Sequence, residues 1–280
     1  MSLYRGILYI LKLIRVKNIV ISILAIFFFS YSLSGFSTLH LVYCLIVVSG
    51  YLAGGNIIND YYDYKVDLIN NPKRPLVNQF ITLKSAYKLG LFFLISSFMI
   101  STIFSSNTIL ISLFTLIILF LYTTKFKNIP LLGNILISTL VGLIFLFSEL
   151  ALTEQLLKGW PCFILAFILN FCRELIKDME DIKGDAINNI KTFPVVFGFD
   201  TSKHLLVFLI LSFVVISILP VIRSYFTGIY LPLLLFVHIP LFYIIILIFD
   251  DLTSKGCRRV SNLIKMIYVC GLFIILFSLK

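Results

Sequence analysis

Charge is scarce in this 280-residue chain: Asp, Glu, Lys and Arg make up 13% of it, where a soluble globular domain carries about a quarter. With 60% hydrophobic residues and a mean hydropathy of +1.06, the composition excludes a soluble domain and indicates an integral membrane protein. The five cysteines are scattered and form no C-x-x-C pair, which argues against a disulfide framework or a zinc site. His40, His204 and His238 stand far apart without metal-ligand spacing and read as interfacial or structural. No G-x-x-x-x-G-K-[ST] loop, G-x-G-x-x-G turn or Ser-His-Asp arrangement is present, so the common nucleotide-binding and hydrolase chemistries drop out. No low-complexity linker divides the chain, and residues 1–280 read as a single domain. The N-terminus lacks a compact apolar stretch ending in a small-residue cleavage site, so no removed signal peptide is expected.

Long apolar runs, by contrast, are abundant. About 20 such residues cross a bilayer, and nine stretches meet or approach that length, at roughly 18–35, 38–58, 87–104, 107–123, 131–150, 160–177, 204–222, 229–249 and 262–279. With the N-terminus placed in the cytoplasm, 20 of the 23 Lys and Arg fall on the cytoplasmic side, leaving Lys158, Arg223 and Lys280 outside. The positive-inside rule thus accounts for the net charge of +10, and nucleic acid is not needed as a partner. The connections near 59–86 and 178–203 are expected to be long and cytoplasmic, in a bacterial or archaeal cell membrane.

The acids are few and unevenly placed. Of 13 Asp and Glu residues, eight lie in two stretches, NIINDYYDYKVDLINNPKRPL (56–76) and RELIKDMEDIKGDAINNIKTFPVVFG (173–198), too many in too little chain for ordinary solvated loops. Asn59, Asp63 and Asp67 are spaced i, i+4, i+8 and stack on one helical face, with Asp60 about 100° away. Asp181 and Asp185 repeat the spacing, one turn after Asp178, with Lys177, Lys183 and Lys191 interleaved. Anions are disfavoured at a helix C-terminus, so carboxylates extending the end of an apolar helix point to a bound cation. Mg²⁺ suits such sites, because it is usually held by one or two carboxylates together with substrate phosphates. Lys73, Arg74 and Lys125 can offset further phosphate charge. A diphosphate that leaves a useful electrophile inside a membrane is an allylic isoprenoid diphosphate, whose cation the apolar helices would shield from water.

At these residues the chain resembles the UbiA superfamily of intramembrane prenyltransferases. The resemblance rests on Asn59-x-x-x-Asp63-x-x-x-Asp67, then Asn71-Pro-Lys-Arg-Pro75, and Asp181-x-x-x-Asp185 on the sixth span. It implies an all-α integral membrane protein: a bundle of nine transmembrane helices whose central cavity is capped by cytoplasmic loops. It implies two Mg²⁺ ions bound with the prenyl diphosphate, one on Asn59, Asp63 and Asp67 and the other on Asp181 and Asp185, with Asp60 and Asp178 in support. The runs Arg173 to Asp185, Lys191-Thr-Phe-Pro194, Tyr122-Thr-Thr-Lys125 and Leu131-Leu-Gly133-Asn134 are similar to the digeranylgeranylglyceryl phosphate synthase branch. So is Arg15-Val-Lys-Asn18, which resembles that branch's opening Arg-x-x-Asn. By this match Arg15, Asn18, Lys73, Arg74, Tyr122, Lys125, Asn134 and Lys177 are expected to bind substrate. Where the branch commonly continues Arg-Pro-x-x-x-Gly, this chain reads Arg74-Pro-Leu-Val-Asn-Gln79, so the acceptor stays open.

The favoured reading is Mg²⁺-dependent transfer of a long prenyl group to a lipophilic acceptor within the lipid membrane, a prenylglyceryl phosphate, giving an ether lipid. Arg15 is the expected holder of the acceptor phosphate. Prenylation of an aromatic quinone precursor is the alternative within the same chemistry. A cation-coupled transporter is the alternative of another class. It is disfavoured because transporters place ionisable groups near mid-membrane, whereas these acids sit at its edge.

Overall fold

The computed structural model describes residues 3–70, 74–78, 81–222, 225–250 and 252–279. Among these residues the chain forms twelve α-helices and one π-helical turn. Eight helices are long and apolar enough to cross a membrane: α3 (Thr38–Tyr62), α5 (Leu83–Ser101), α6 (Ser106–Leu121) with its π turn (Tyr122–Phe126), α7 (Leu132–Thr153), α8 (Gly159–Ile187), α10 (Phe199–Ile222), α11 (Tyr230–Phe249) and α12 (Ser254–Ser278). The ninth expected span is a bent pair, α1 (Leu3–Leu13) and α2 (Val16–Ser30), meeting at 59°. Alone, α2 has 15 residues, about 22 Å of rise, short of the ~30 Å hydrocarbon core. The bend falls at Arg15, whose φ of 54° is left-handed and cannot continue the helix.

Two boundaries differ from the sequence reading. The second span does not stop at 58 but runs to Tyr62, and after Asp63 the short α4 (Tyr64–Asn70) follows. Asp63 N still bonds Asn59 O at 2.9 Å and Asp67 N bonds Asp63 O at 2.8 Å, so helical phase survives the interruption. The sixth span does not end at 177: residues 178–187, read from the sequence as connection, are the last turns of α8. With 29 residues α8 rises about 43 Å, more than the hydrocarbon core needs. The long connection proper is 188–198, containing α9 (Phe193–Phe197).

Apolar side chains gain little by leaving lipid for one another, so close backbone approach matters more in such bundles. A methyl on Gly54 of α3 would meet the Gly90 carbonyl oxygen of α5 at 2.9 Å, and one on Gly142 of α7 would meet the Phe163 carbonyl oxygen of α8 at 2.9 Å. One core joins α8, α10, α11 and α12 through residues such as Leu175, Leu206, Ile244 and Ile264. The other joins α3, α5 and α7 through Val47, Ile58, Leu94 and Phe147. Helices α2 and α7 belong to both; Phe29 and Phe145 stack edge-on, 5.5 Å between centroids.

Glu149, near the end of α7, is 2% exposed. Its carboxylate accepts the backbone N–H groups of Leu157 (3.0 Å), Lys158 (2.8 Å) and Gly159 (2.7 Å), which caps the N-terminus of α8.

Candidate active site

The first acidic group is built where α3 passes into α4. Asp60 is 3% exposed, and its Oδ1 accepts from Arg15 Nη2 at 2.6 Å and Arg74 Nη1 at 2.8 Å. The same Arg74 nitrogen donates to Asp67 Oδ2 at 2.8 Å. The turn at Arg15 lets it reach Asp60. Arg15, expected to serve an acceptor phosphate, thus commits one nitrogen to a carboxylate shared with Arg74. Asp63 Oδ2 accepts from Asn59 Nδ2 at 2.9 Å and from the Lys127 ammonium. Every carboxylate of this group therefore faces a base.

The second group lies on the last turns of α8. Asn134 Nδ2 of α7 donates to Asp178 Oδ2 at 2.8 Å, the Thr192 hydroxyl donates to Asp185 Oδ2 at 3.3 Å, and Asp181 is exposed. Among the described residues none of these three carboxylates forms an ion pair. One turn before them, Glu174 takes Arg173 Nη1 at 2.8 Å and Lys177 Nζ at 2.7 and 2.9 Å.

A third element enters from the end of α6. The Thr123 hydroxyl donates to Leu119 O (2.8 Å) and the Thr124 hydroxyl to Phe120 O (2.6 Å), competing for carbonyls of the final α-turn. The helix widens into the π turn, closed by Lys127 N to Tyr122 O at 3.0 Å. Single π turns often sit at functional sites. This one carries Tyr122, Lys125 and, at its end, Lys127.

These elements surround one cavity of about 770 Å³. Arg15, Asn18, Asn59, Asp63, Asp67, Arg74, Tyr122, Lys125, Asn134, Lys177, Asp178, Asp181 and Asp185 all line it, so thirteen residues singled out in the sequence converge. Asp60 does not line it; it stands behind the wall, between two guanidinium groups. Lys73 lies outside the described residues. Lys127, Arg173 and Glu174 also line the cavity but were not among the expected site residues. The π register that gives Lys127 to Asp63 leaves no mark in helical periodicity. Arg173 and Glu174 were legible as the start of the second acidic stretch and of the run similar to the synthase branch, without a site role of their own. Deeper in, the lining turns apolar and aromatic, with Tyr51, Phe145, Phe147, Leu165, Phe213 and Leu234.

Among the described residues no three His, Cys, Asp or Glu side chains are grouped as a ready metal cage. That agrees with Mg²⁺, which completes its shell with substrate phosphates and water. The buried Oδ1 of Asn59 has no hydrogen-bond partner, an oxygen left over beside Asp63. The donor set is oxygen throughout, and the residues fit a hard divalent cation.

Comparison with known proteins adds the following. Residues 19–269 match the UbiA prenyltransferase family. The digeranylgeranylglyceryl phosphate synthase of Methanobrevibacter smithii is 32% identical over 91% of this chain and 92% of its own. That of Thermococcus gammatolerans is 32% identical over 85% of each. A solved structure described as concerning digeranylgeranylglyceryl phosphate synthase in membranes superposes with a TM-score of 0.80 at 30% identity, covering 97% of this chain and 98% of that one. A UbiA homologue from Archaeoglobus fulgidus, bound to DMAPP and Mg²⁺, shares the fold with a TM-score of 0.71 at 20% identity, over 95% of this chain and 98% of that one.

Proposed function

The chain belongs to the UbiA prenyltransferase family, and from that premise we propose that it transfers a long prenyl group from its diphosphate to the hydroxyl of a prenylglyceryl phosphate, forming an ether bond within the membrane. The observation that carries this reading is that acids from α3–α4 and α8 share the mouth of one cavity whose depth is apolar. The relatives named for digeranylgeranylglyceryl phosphate synthesis support the acceptor. The whole chain acts as one transmembrane domain.

Asn59, Asp63 and Asp67 would hold one Mg²⁺ and Asp181 and Asp185 the other, with Asp178 oriented by Asn134. Bound with the substrate, these ions neutralise diphosphate charge and polarise the leaving group. Arg74, Lys125 and Lys127 add positive charge around the diphosphate and stabilise the negative charge that develops on departing pyrophosphate. Tyr122 and the aromatic rings deeper in the cavity line the space that the allylic carbon would occupy, where π-faces would favour a cation and apolar walls exclude water. The acceptor oxygen attacks that carbon, the carbon–diphosphate oxygen bond breaks, and the hydroxyl proton passes to a carboxylate or to pyrophosphate at the mouth. Asp60 fixes Arg15 and Arg74. The mouth faces the cytoplasm, as the distribution of Lys and Arg supports.

Purified protein incubated with labelled prenyl diphosphates and a panel of acceptors, with products identified by mass, tests the assignment. Ether-linked diprenylglyceryl phosphate is the expected product. A prenylated aromatic ring, with no reaction on glyceryl phosphates, would replace it with the quinone-type alternative.

A further inference from the structure

Glu174 stands among cations on the wall of the cavity. Arg173 and Lys177 both bond it, and Lys265 of α12, the helix packed on α8, lies within electrostatic reach of Arg173. All four side chains line the cavity. Asp178, one turn on, also lies within reach of Lys177, and Glu180 within reach of Lys265, although Glu180 is paired with Arg258. Arg173 Nε is buried and makes no hydrogen bond among the described residues, although a buried donor without a partner costs free energy. Lys265 Nζ has only Asn262 Oδ1, at 3.2 Å, among the hydrogen bonds described.

We propose that Arg173, Lys177 and Lys265 form a second anion seat, distinct from the carboxylate mouth, that holds the phosphate monoester of the acceptor lipid. The inference rests on the reading given under Proposed function and names the residues that would read its acceptor. A monoester dianion suits three converging cations, and a guanidinium fork with an unpartnered Nε can grip phosphate oxygens in a bidentate manner. Spacing agrees. Arg173 precedes Asp181 by eight residues on one helix, about 12 Å along the axis, and Lys177 precedes it by about 6 Å. In a glyceryl phosphate the hydroxyl and the phosphate sit on neighbouring carbons, four bonds or about 4–5 Å apart. An acceptor gripped one or two turns below the carboxylates therefore presents its hydroxyl toward the carbon that leaves the diphosphate. A separate seat also keeps two polyanionic groups off the same bases. Arg15, bonded to the carboxylate that holds Arg74, belongs to the mouth.

The test compares a prenylglyceryl phosphate with the same lipid lacking its phosphate, using wild type, Arg173→Gln, Lys265→Gln and Arg173→Lys in nanodiscs. The expected result for either Gln variant is a 10- to 100-fold fall, roughly, in the ratio of kcat/KM for phosphorylated over neutral acceptor, with the prenyl diphosphate KM within about twofold of wild type. Arg173→Lys keeps the charge but not the fork and should recover part of the ratio. Lys265→Gln covers the case in which the Arg173 variant misfolds. An unchanged ratio in both Gln variants overturns the seat while leaving the proposed reaction standing. A matching rise in prenyl diphosphate KM also overturns it, because the cations would then serve the donor. A wild-type enzyme that shows no preference for the phosphorylated lipid removes the reaction's acceptor, and the seat with it.

Discussion

The two acidic groups face each other across one cavity, yet their chemical states differ. On α3–α4, Asp60, Asp63 and Asp67 are matched by Arg15, Arg74 and Lys127, so this group already has its cations. On α8, Asp178 and Asp185 are held by an amide and a hydroxyl, and Asp181 is exposed. Similar sequence spacing has thus produced one group neutralised from within and one with no internal cation, open to cations arriving from outside. A divalent ion should settle first on α8, while the α3–α4 side must first give up Lys127 from Asp63.

The largest effect expected from breaking either side is on turnover. Asp185→Asn and Asp63→Asn should each lower kcat by about 100-fold or more, and chelation of Mg²⁺ should do the same to wild type. Full activity in EDTA would remove the metal role from both groups.

Stability should separate the two sides next. Asp60→Asn leaves two guanidinium groups short of a counter-charge. Because both arginines are about a third exposed, solvent screens part of the loss, and a cost of about 1–3 kcal/mol is expected from thermal unfolding in detergent. Asp178→Asn keeps a hydrogen bond to Asn134 and should cost less than about 1 kcal/mol. Equal losses would mean that the internal pairing on α3–α4 adds nothing.

A subtler contrast concerns ion affinity. Lys127→Met frees Asp63 of its internal cation, so the Mg²⁺ concentration for half-maximal binding should fall about 3- to 10-fold even as kcat drops, in line with roughly 1 kcal/mol for a partly exposed ion pair. A rise instead would show that Lys127 helps assemble the ion site. The smallest perturbation is topological. Single cysteines at Lys84 and Lys191, in a background lacking the five native cysteines, should react with an impermeant maleimide from the same side of sealed vesicles. Opposite sidedness would separate the two groups altogether.

Much of this was readable before any coordinates. Apolar run length and the Lys and Arg distribution gave the bundle its spans, because a bilayer penalises charge by position. The i, i+4 spacings brought Asn59, Asp63, Asp67, Asp181 and Asp185 to one cavity, because helical phase is a local property. The unread part depended on non-local partners. Nothing in the sequence near Glu149 says that its carboxylate caps the next helix. Lys127 reaches Asp63 only because two threonine hydroxyls favour a π turn. The end of α8 was placed ten residues early because its last turns are polar, although their charges continue the helical spacing.

The overshoot of α8 also bears on the direction of the reaction. With Gly159 anchored by Glu149 at one face, a helix about 43 Å long carries Asp181 and Asp185 beyond a ~30 Å hydrocarbon layer and leaves Asp178 at its edge. The two products are consequently born on opposite sides of a phase boundary. Pyrophosphate enters water, and the prenylated product remains in the oil. Reversal requires both to find the same cavity again from different solvents, so partition drives the synthesis forward without any further device in the protein.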